Sequence, residues 1–304
     1  MEFEKNKLQA NGLEFDLLKS GKGKKLALFL HGFPDDAASF LPLMEKFSEV
    51  GFTCYSPYLR GYSKGSIPSD IREGKNKTVS IADLAQDLDS LLEAIRKKEK
   101  PEKIFIIGHD WGSIIASSLA NLSPRSFDVL ALLSVPPLPV FIKNLAFNPS
   151  QIFRSWYILF FQFRFGIPER SIQEGDFLRK LWRDWSPNWV LPEERFREIN
   201  QNLKDPKILE TALGYYRGLL TPDSFRDWNR SRELIFRKIS VPTILLSGSE
   251  DHCISTSMFD NLGSSFRAPY EFHSIYNAGH FLPLEVPDKL FSLLFEFWKR
   301  YSEN

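Results

Sequence analysis

Ile104-Phe105-Ile106-Ile107-Gly108-His109-Asp110-Trp111-Gly112-Ser113 is an apolar run that halts at Gly-His-Asp-Trp-Gly and resumes as Ile114-Ile115-Ala116-Ser117-Ser118-Leu119-Ala120. The pattern reads as a buried strand, a tight turn and a helix, with a carboxylate at the tip of the turn. Glycines on either side remove Cβ atoms that would crowd so sharp a reversal. Turns of the form Gly-x-Ser-x-Gly present a nucleophilic serine; here Asp110 stands in the serine's place. An aspartate nucleophile makes an ester at its own side chain, and water must then attack the enzyme's carboxyl carbon. That sequence of steps suits alkyl electrophiles such as epoxides and alkyl halides.

Composition bounds what surrounds this turn. A chain of 304 residues accommodates one α/β domain with an insertion, and 43% apolar residues suffice for a large core. With 39 basic and 38 acidic residues the net charge is +1, which supplies no global field to recruit nucleic acid or an anionic membrane. The expected substrate is neutral or recognised locally. Cys54 and Cys253 are the two cysteines, too few for a disulfide framework or a metal cluster, so no metal or organic cofactor is expected. Met1-Glu2-Phe3-Glu4-Lys5-Asn6-Lys7 lacks the apolar core of a signal peptide, and no stretch reaches the roughly 20 apolar residues of a membrane span. The expectation is a soluble, cytoplasmic protein with no integral membrane segment; its oligomeric state stays open.

Strand-like and helix-like segments alternate through the first third, the pattern of a mostly parallel sheet with helices on both faces. Residues 3–10 and 13–19, split by Asn11-Gly12, read as a hairpin; 26–30, 52–56 and 129–135 read as strands, and 38–49 as a helix. Ser80 is a candidate N-cap for a helix whose Ile81, Leu84, Ala85, Leu88, Leu91, Leu92 and Ile95 share a face, with Asp83, Asp87, Glu93 and Lys97 expected on the wet side. From about 138 to 237 no strand pattern occurs, and five of the seven tryptophans lie there. Alternation returns with a strand at 241–247, a helix near 255–262, a strand at 270–276 and a helix at 288–300. The expected organisation is an α/β core of residues 1–137 and 238–304, interrupted by a helical cap at 138–237. Ligands of parallel α/β sheets bind at the carboxyl ends of the strands, where an insertion after 129–135 would form a lid.

An aspartate nucleophile needs a base for the second-step water and an acid to orient that base. Of five histidines, His280 in Asn277-Ala278-Gly279-His280-Phe281-Leu282-Pro283 follows a strand and lies on the expected rim, whereas His273 falls inside a strand. For the acid, Ser247-Gly248-Ser249-Glu250-Asp251 places Asp251 at the same rim, with Glu250 the local competitor. Backbone N–H donors must stabilise the oxyanion formed during ester hydrolysis. Trp111 at the start of its helix supplies one, and His31-Gly32-Phe33-Pro34 after the strand at 26–30 supplies the amide of Phe33. His31, Pro34, Trp156, Phe161 and Phe281 are the candidate pocket-lining residues.

On His31-Gly32-Phe33-Pro34, Arg60-Gly61-Tyr62-Ser63, Gly108-His109-Asp110-Trp111-Gly112, Gly248 with Asp251, and Gly279-His280-Phe281-Leu282-Pro283, the chain resembles the epoxide hydrolases of the α/β-hydrolase fold over nearly its whole length. These core motifs are shared with haloalkane dehalogenases. The resemblance implies two cap tyrosines that hold and protonate the epoxide oxygen. One lies five residues before a glutamine, the position of Tyr157 in Ser155-Trp156-Tyr157-Ile158-Leu159-Phe160-Phe161-Gln162; the other precedes an arginine, the position of Tyr216 in Gly214-Tyr215-Tyr216-Arg217, with Tyr215 as the register alternative. Tyr58, where relatives often carry Asp, and Phe163-Arg164-Phe165-Gly166, in place of a proline-containing segment, depart from the family pattern. The implied activity is opening of a small apolar epoxide by water to a vicinal diol. Dehalogenation is the alternative, although Phe33 replaces the polar donor that dehalogenases often carry after His-Gly. A non-catalytic ligand-binding protein on this fold is a third reading.

Overall fold

The structure, a computed structural model, describes residues 3–174, 176–220 and 224–302. Its sheet runs in the order β1-β2-β4-β3-β5-β6-β7-β8. β1 (Glu4–Ala10) and β2 (Leu13–Ser20) form the hairpin about Asn11-Gly12, and β2 pairs antiparallel with β4 (Phe52–Pro57). The remaining pairings, among β4, β3 (Lys25–Leu30), β5 (Lys103–His109), β6 (Val129–Leu133), β7 (Thr243–Gly248) and β8 (Tyr270–Ile275), are parallel.

Unbroken apolar runs in the inner strands reflect burial on both faces. Leu26, Leu28, Leu30, Ile104 and Ile106 enter one core, and Ala27, Phe29, Phe105 and Ile107 enter the other. The second core is closed by α1 (Leu41–Glu49) and by the C-terminal helix through Leu290, Leu294, Phe297 and Trp298. After the single turn α2 (Ser69–Arg72), α3 (Ile81–Glu99) and α4 (Trp111–Leu122) cover the first. Ser80 caps α3, its Oγ accepting the Asp83 N–H at 3.0 Å.

Two expectations need correction. Asp87 does not face water: it is buried, accepting from Arg60 Nε at 2.5 Å, Arg60 Nη2 at 2.7 Å and Asn11 Nδ2 at 2.7 Å. Helical periodicity locates the apolar stripe of α3, but it carries no sign that the hairpin turn and Arg60 close over its edge. The helix expected near 255–262 is instead two 3₁₀ turns, Thr256–Phe259 and Leu262–Ser265, because Asp260 is extended and Asn261 left-handed between them.

Between β6 and β7 the described residues form helices and no strand: α5 (Leu138–Leu145), α6 (Pro149–Arg154), α7 (Trp156–Phe160), α8 (Ile167–Glu174), α9 (Phe177–Trp185), α10 (Glu193–Leu203), α11 (Pro206–Leu220) and α12 (Phe225–Ile235). α13 (Leu282–Glu285) and α14 (Pro287–Ser302) end the chain's described part. Among the described residues, no helix is long and apolar enough to cross a membrane. Strand order reverses at β3 and β5, so the loops leaving their carboxyl ends diverge and open a crevice. His31, Asp110, Asp251 and His280 follow β3, β5, β7 and β8 respectively, which brings them to one rim.

Candidate active site

Asp110 sits between β5 and α4 at φ +53° and ψ −117°, backbone space that a residue with a side chain enters at a cost of about 1–3 kcal/mol. The turn is held from both flanks. Ser113 Oγ donates within range of Gly108 O (2.7 Å) and Leu133 O (2.9 Å) and accepts from Leu133 N, while the Asp110 N–H donates to Leu133 O at 3.1 Å. On the β3 side, a Cβ on Gly112 would stand 2.0 Å from Leu30 O, and one on Gly32 would stand 2.2 Å from Asp110 Oδ1. Glycine at these two positions is therefore what lets the turn, β3 and the loop after β3 meet. The closeness yields a contact: Phe33 N–H donates to Asp110 Oδ1 at 2.8 Å. Trp111 opens α4, where the first amides of a helix lack partners within it.

The structure brings Asp110, His280 and Asp251 together. His280 Nδ1 donates to Asp251 Oδ2 at 2.8 Å, and its Nε2 lies 3.6 Å from Asp110 Oδ2 with no hydrogen-bond partner among the described residues. Asp251 Oδ1 accepts the N–H groups of Cys253 and Ile254, both at 2.8 Å, which aims the other oxygen at the imidazole. Glu250, the local competitor, is only partly buried and has Ser249 Oγ at 3.3 Å. Burial disfavours the charged imidazole of His280, but the two flanking carboxylates outweigh it and raise its pKa to about 10. Burial likewise opposes ionisation of Asp110, yet the charge of the His280 imidazole 3.6 Å away and the Phe33 amide hold it below the usual carboxylate value. His280 O accepts from Ser134 Oγ at 2.7 Å and from His109 Nε2 at 2.8 Å, so this residue is fixed on its backbone side as well.

Phenols and aromatic rings close over this group. Tyr157 of α7 and Tyr216 of α11 are buried with ring centroids 5.8 Å apart, and Tyr216 lies 5.1 Å from Trp111 and 5.6 Å from Phe33. Burial first, and the nearby Asp110 charge among the further causes, push both phenols well above their ordinary pKa, so both keep their protons. Tyr157 Oη is 3.3 Å from Cys253 Sγ, and Tyr216 Oη has no hydrogen-bond partner among the described residues. The register alternative, Tyr215, donates its hydroxyl to Arg60 O at 2.7 Å. Phe161 packs on Phe33, Tyr157 and Tyr216.

The other sequence candidates divide. Phe281 stacks on Trp182 at 3.5 Å and adjoins His280. Pro34 is buried. Both ring nitrogens of His31 are occupied by backbone, Nε2 accepting from Leu59 N at 3.1 Å and Nδ1 donating to Gly32 O at 3.0 Å, and burial lowers its pKa to about 4. It shapes the loop after β3. Trp156 is 41% exposed and packs on Phe160 and Phe177, away from Asp110, because α7 turns Tyr157 inward and its neighbour outward.

Four residues escaped the sequence reading. Trp185 lies between Tyr157 (4.9 Å) and His280 (5.2 Å), and its carbonyl accepts the His280 N–H at 3.3 Å. Ser186 Oγ accepts the same N–H at 2.9 Å and donates to Glu285 Oε1 at 2.6 Å; Glu285 also takes the amides of Gly279 (2.7 Å) and Phe281 (2.8 Å). Cys253 touches Tyr157. Only Cys253 and Glu285 carried a signal, their closeness in sequence to Asp251 and His280; Trp185 and Ser186 arrive from some 95 residues upstream of His280. Among the described residues no group of three or more His, Cys, Asp and Glu is placed to hold a metal ion.

A Gly-x-Asp-x-Gly turn after the fifth strand, with acid and histidine following later parallel strands, defines an α/β hydrolase: the chain belongs to the α/β-hydrolase fold family, whose model matches residues 27–287. Among its relatives, epoxide hydrolase A of Mycobacterium tuberculosis is 27% identical, covering 95% of each chain, and epoxide hydrolase 4 of Mus musculus is 27% identical over 98% of this chain and 80% of its own. Solved structures of the same fold include an epoxide hydrolase from Vigna radiata (TM-score 0.78, 22% identity, 99% of this chain and 98% of that one) and epoxide hydrolase A of Mycobacterium thermoresistibile (TM-score 0.77, 23% identity, 99% of both).

Proposed function

We propose that the chain hydrolyses epoxides to vicinal diols through an ester on Asp110. The observation that carries this reading is a pair of buried, protonated phenols, one with no hydrogen-bond partner among the described residues, beside a carboxylate aligned with a His–Asp pair. Epoxide opening leaves an alkoxide, which a phenol can hydrogen-bond and protonate. A core of residues 1–137 and 238–304 with a cap at 138–237 describes the division of labour: the core supplies nucleophile and base, the cap supplies Tyr157 and Tyr216.

Asp110 Oδ1 is held by the Phe33 amide, which leaves Oδ2 to attack an epoxide carbon in line with the breaking C–O bond. Tyr157 and Tyr216 bind the oxygen, and one of them gives it a proton. The product is a hydroxyalkyl ester. Esterification removes the negative charge of Asp110, one of the groups that keeps His280 protonated, so the imidazole pKa falls, its proton passes to the tyrosinate left by the first step, and Nε2 becomes a base. With Asp251 steadying the imidazolium that forms, His280 takes a proton from water; the hydroxide adds to Cγ of Asp110, and the resulting oxyanion rests on the Phe33 and Trp111 amides. Collapse expels the alkoxide, which takes the proton of the added hydroxyl and leaves as the diol, and the carboxylate is regenerated beside a His280 that keeps the proton from water, the state in which the cycle began.

Parallel incubation with an aryl epoxide and a primary alkyl halide tests the reaction class. Diol without halide release is expected, and halide without diol would make the chain a dehalogenase. Tyr157→Phe and Tyr216→Phe should each lower kcat/KM by about 10- to 100-fold, the worth of one strong hydrogen bond in the transition state. Full activity in both single variants would remove the tyrosines from the mechanism.

A further inference from the structure

Among the described residues, nine of the seventeen exposed large apolar side chains fall within 142–167. Exposed apolar residues scattered singly are ordinary, whereas such a concentration marks an interaction surface. Its origin is local. Along α6, α7 and the turn beyond, Tyr157 and Phe161 face the site at 3% and 0% exposure, while Ile152, Phe153, Trp156, Leu159 and Phe163 face outward at 41–79%. Phe165, 94% exposed, stands at the tip of the following turn with φ +60°, a conformation that favours glycine, so neither packing nor backbone preference within the chain accounts for a phenylalanine there.

Charge specifies the partner. From 138 to 168 the sequence has no Asp or Glu, and exposed Lys143 and Arg164 accompany the apolar residues. Arg170 follows, also exposed, and the neighbouring Glu169 is bound to buried Arg217 at 2.8 Å. Aromatic and aliphatic side chains combined with cations match the boundary between phosphate headgroups and acyl chains, and the exposed carboxylate of Asp176, next to Phe177, lies at its margin. A second copy docked through a two-fold axis would set these cations near their own images.

We propose that this face docks on anionic lipid bilayers, the apolar side chains entering the interface and Lys143, Arg164 and Arg170 meeting lipid phosphates. α7 then has lipid on one face and Tyr157 on the other, about 10 Å apart, one helix diameter. An apolar ligand dissolved in the bilayer would lie that close to the site.

Co-sedimentation of the full chain with vesicles of phosphatidylcholine, alone or mixed with phosphatidylserine, tests the proposal. Binding to mixed vesicles should exceed binding to phosphatidylcholine by about tenfold or more and weaken as salt is raised. Phe153→Ser combined with Phe165→Asn, and separately Arg164→Glu, should each reduce it about tenfold without moving the thermal unfolding midpoint, since all three side chains are exposed. Absence of vesicle binding, or binding that ignores these substitutions, overturns the proposal. So does a dimer in sedimentation velocity that the same substitutions dissociate, which would make the face a contact between copies.

Discussion

At the scale of single residues, the site turns on how two carboxylates share one imidazole. His280 contacts Asp251 at 2.8 Å and Asp110 at 3.6 Å, and the pair lifts its pKa to about 10. In the free protein near neutral pH it is therefore protonated and Asp110 is ionised, the state that the proposed first step needs. The proposed second step needs His280 neutral, and an ester on Asp110, by removing one of the two charges, would lower its pKa toward the working range. Where hydrolysis of the ester limits turnover, kcat should fall toward acid pH with a pKa below that of the free enzyme, while kcat/KM, which reports free enzyme and ester formation, stays level across the same interval. Separate pH profiles of the two constants measure this. An acid limb of the same pKa in both would mean that His280 already acts as a base in the first step.

Among elements, the tie between the end of α9 and the loop after β8 sets the position of His280, the proposed base. Ser186 and Glu285 together engage three successive amides, those of Gly279, His280 and Phe281. Removing the hydroxyl in Ser186→Ala leaves the His280 N–H with only the 3.3 Å contact to Trp185 O and loosens the imidazole, which in the proposed reaction acts after the ester has formed. The expected result is a fall of about tenfold in kcat with a matching fall in KM, leaving kcat/KM unchanged, and Ser186→Thr should recover part of the rate. A loss confined to kcat/KM would place Ser186 in substrate binding instead. Strands, the hairpin and the capped α3 were legible because they follow from periodicity and local chemistry. Ser186 and Trp185 were not, because nothing in their own neighbourhood announces a partner so far along the chain. Asp87 was misplaced for the same reason: its partners, Arg60 and Asn11, are also nonlocal.

For the whole molecule, burial of polar groups at the carboxyl ends of the strands ties stability to pH. His31 and His109 are held neutral by burial, their pKa values lowered to about 4 and about 3 from an ordinary 6.5. A histidine whose folded pKa is depressed contributes stability that is complete above about pH 6.5 and is lost as pH falls through the folded value. Asp35, raised to about 6 chiefly by burial, acts in the opposite sense over part of this window. Urea unfolding midpoints should decline from pH 7 to pH 4, and less steeply in His31→Gln, which has no imidazole to protonate. An equal slope in both would assign the acid sensitivity elsewhere. The fold itself was readable from the stretch around Asp110 because a buried strand, a Gly-flanked turn and a buried helix leave few alternatives. Strand alternation then fixed where the later rim residues, Asp251 and His280, had to fall. What covers the site depended on a resemblance for Tyr157 and Tyr216, since tyrosines in an aromatic helical segment look the same whether they pack or react.

The central claim is that Asp110 becomes an ester. A single turnover in ¹⁸O-labelled water, with protein in excess over epoxide, followed by mass analysis of the diol and of the peptide containing Asp110, addresses it directly. Label in the Asp110 carboxylate, with an unlabelled diol, is the expected result, because water attacks the enzyme's carboxyl carbon. Label in the diol, with none in Asp110, would mean that water opened the epoxide directly and would contradict the ester route.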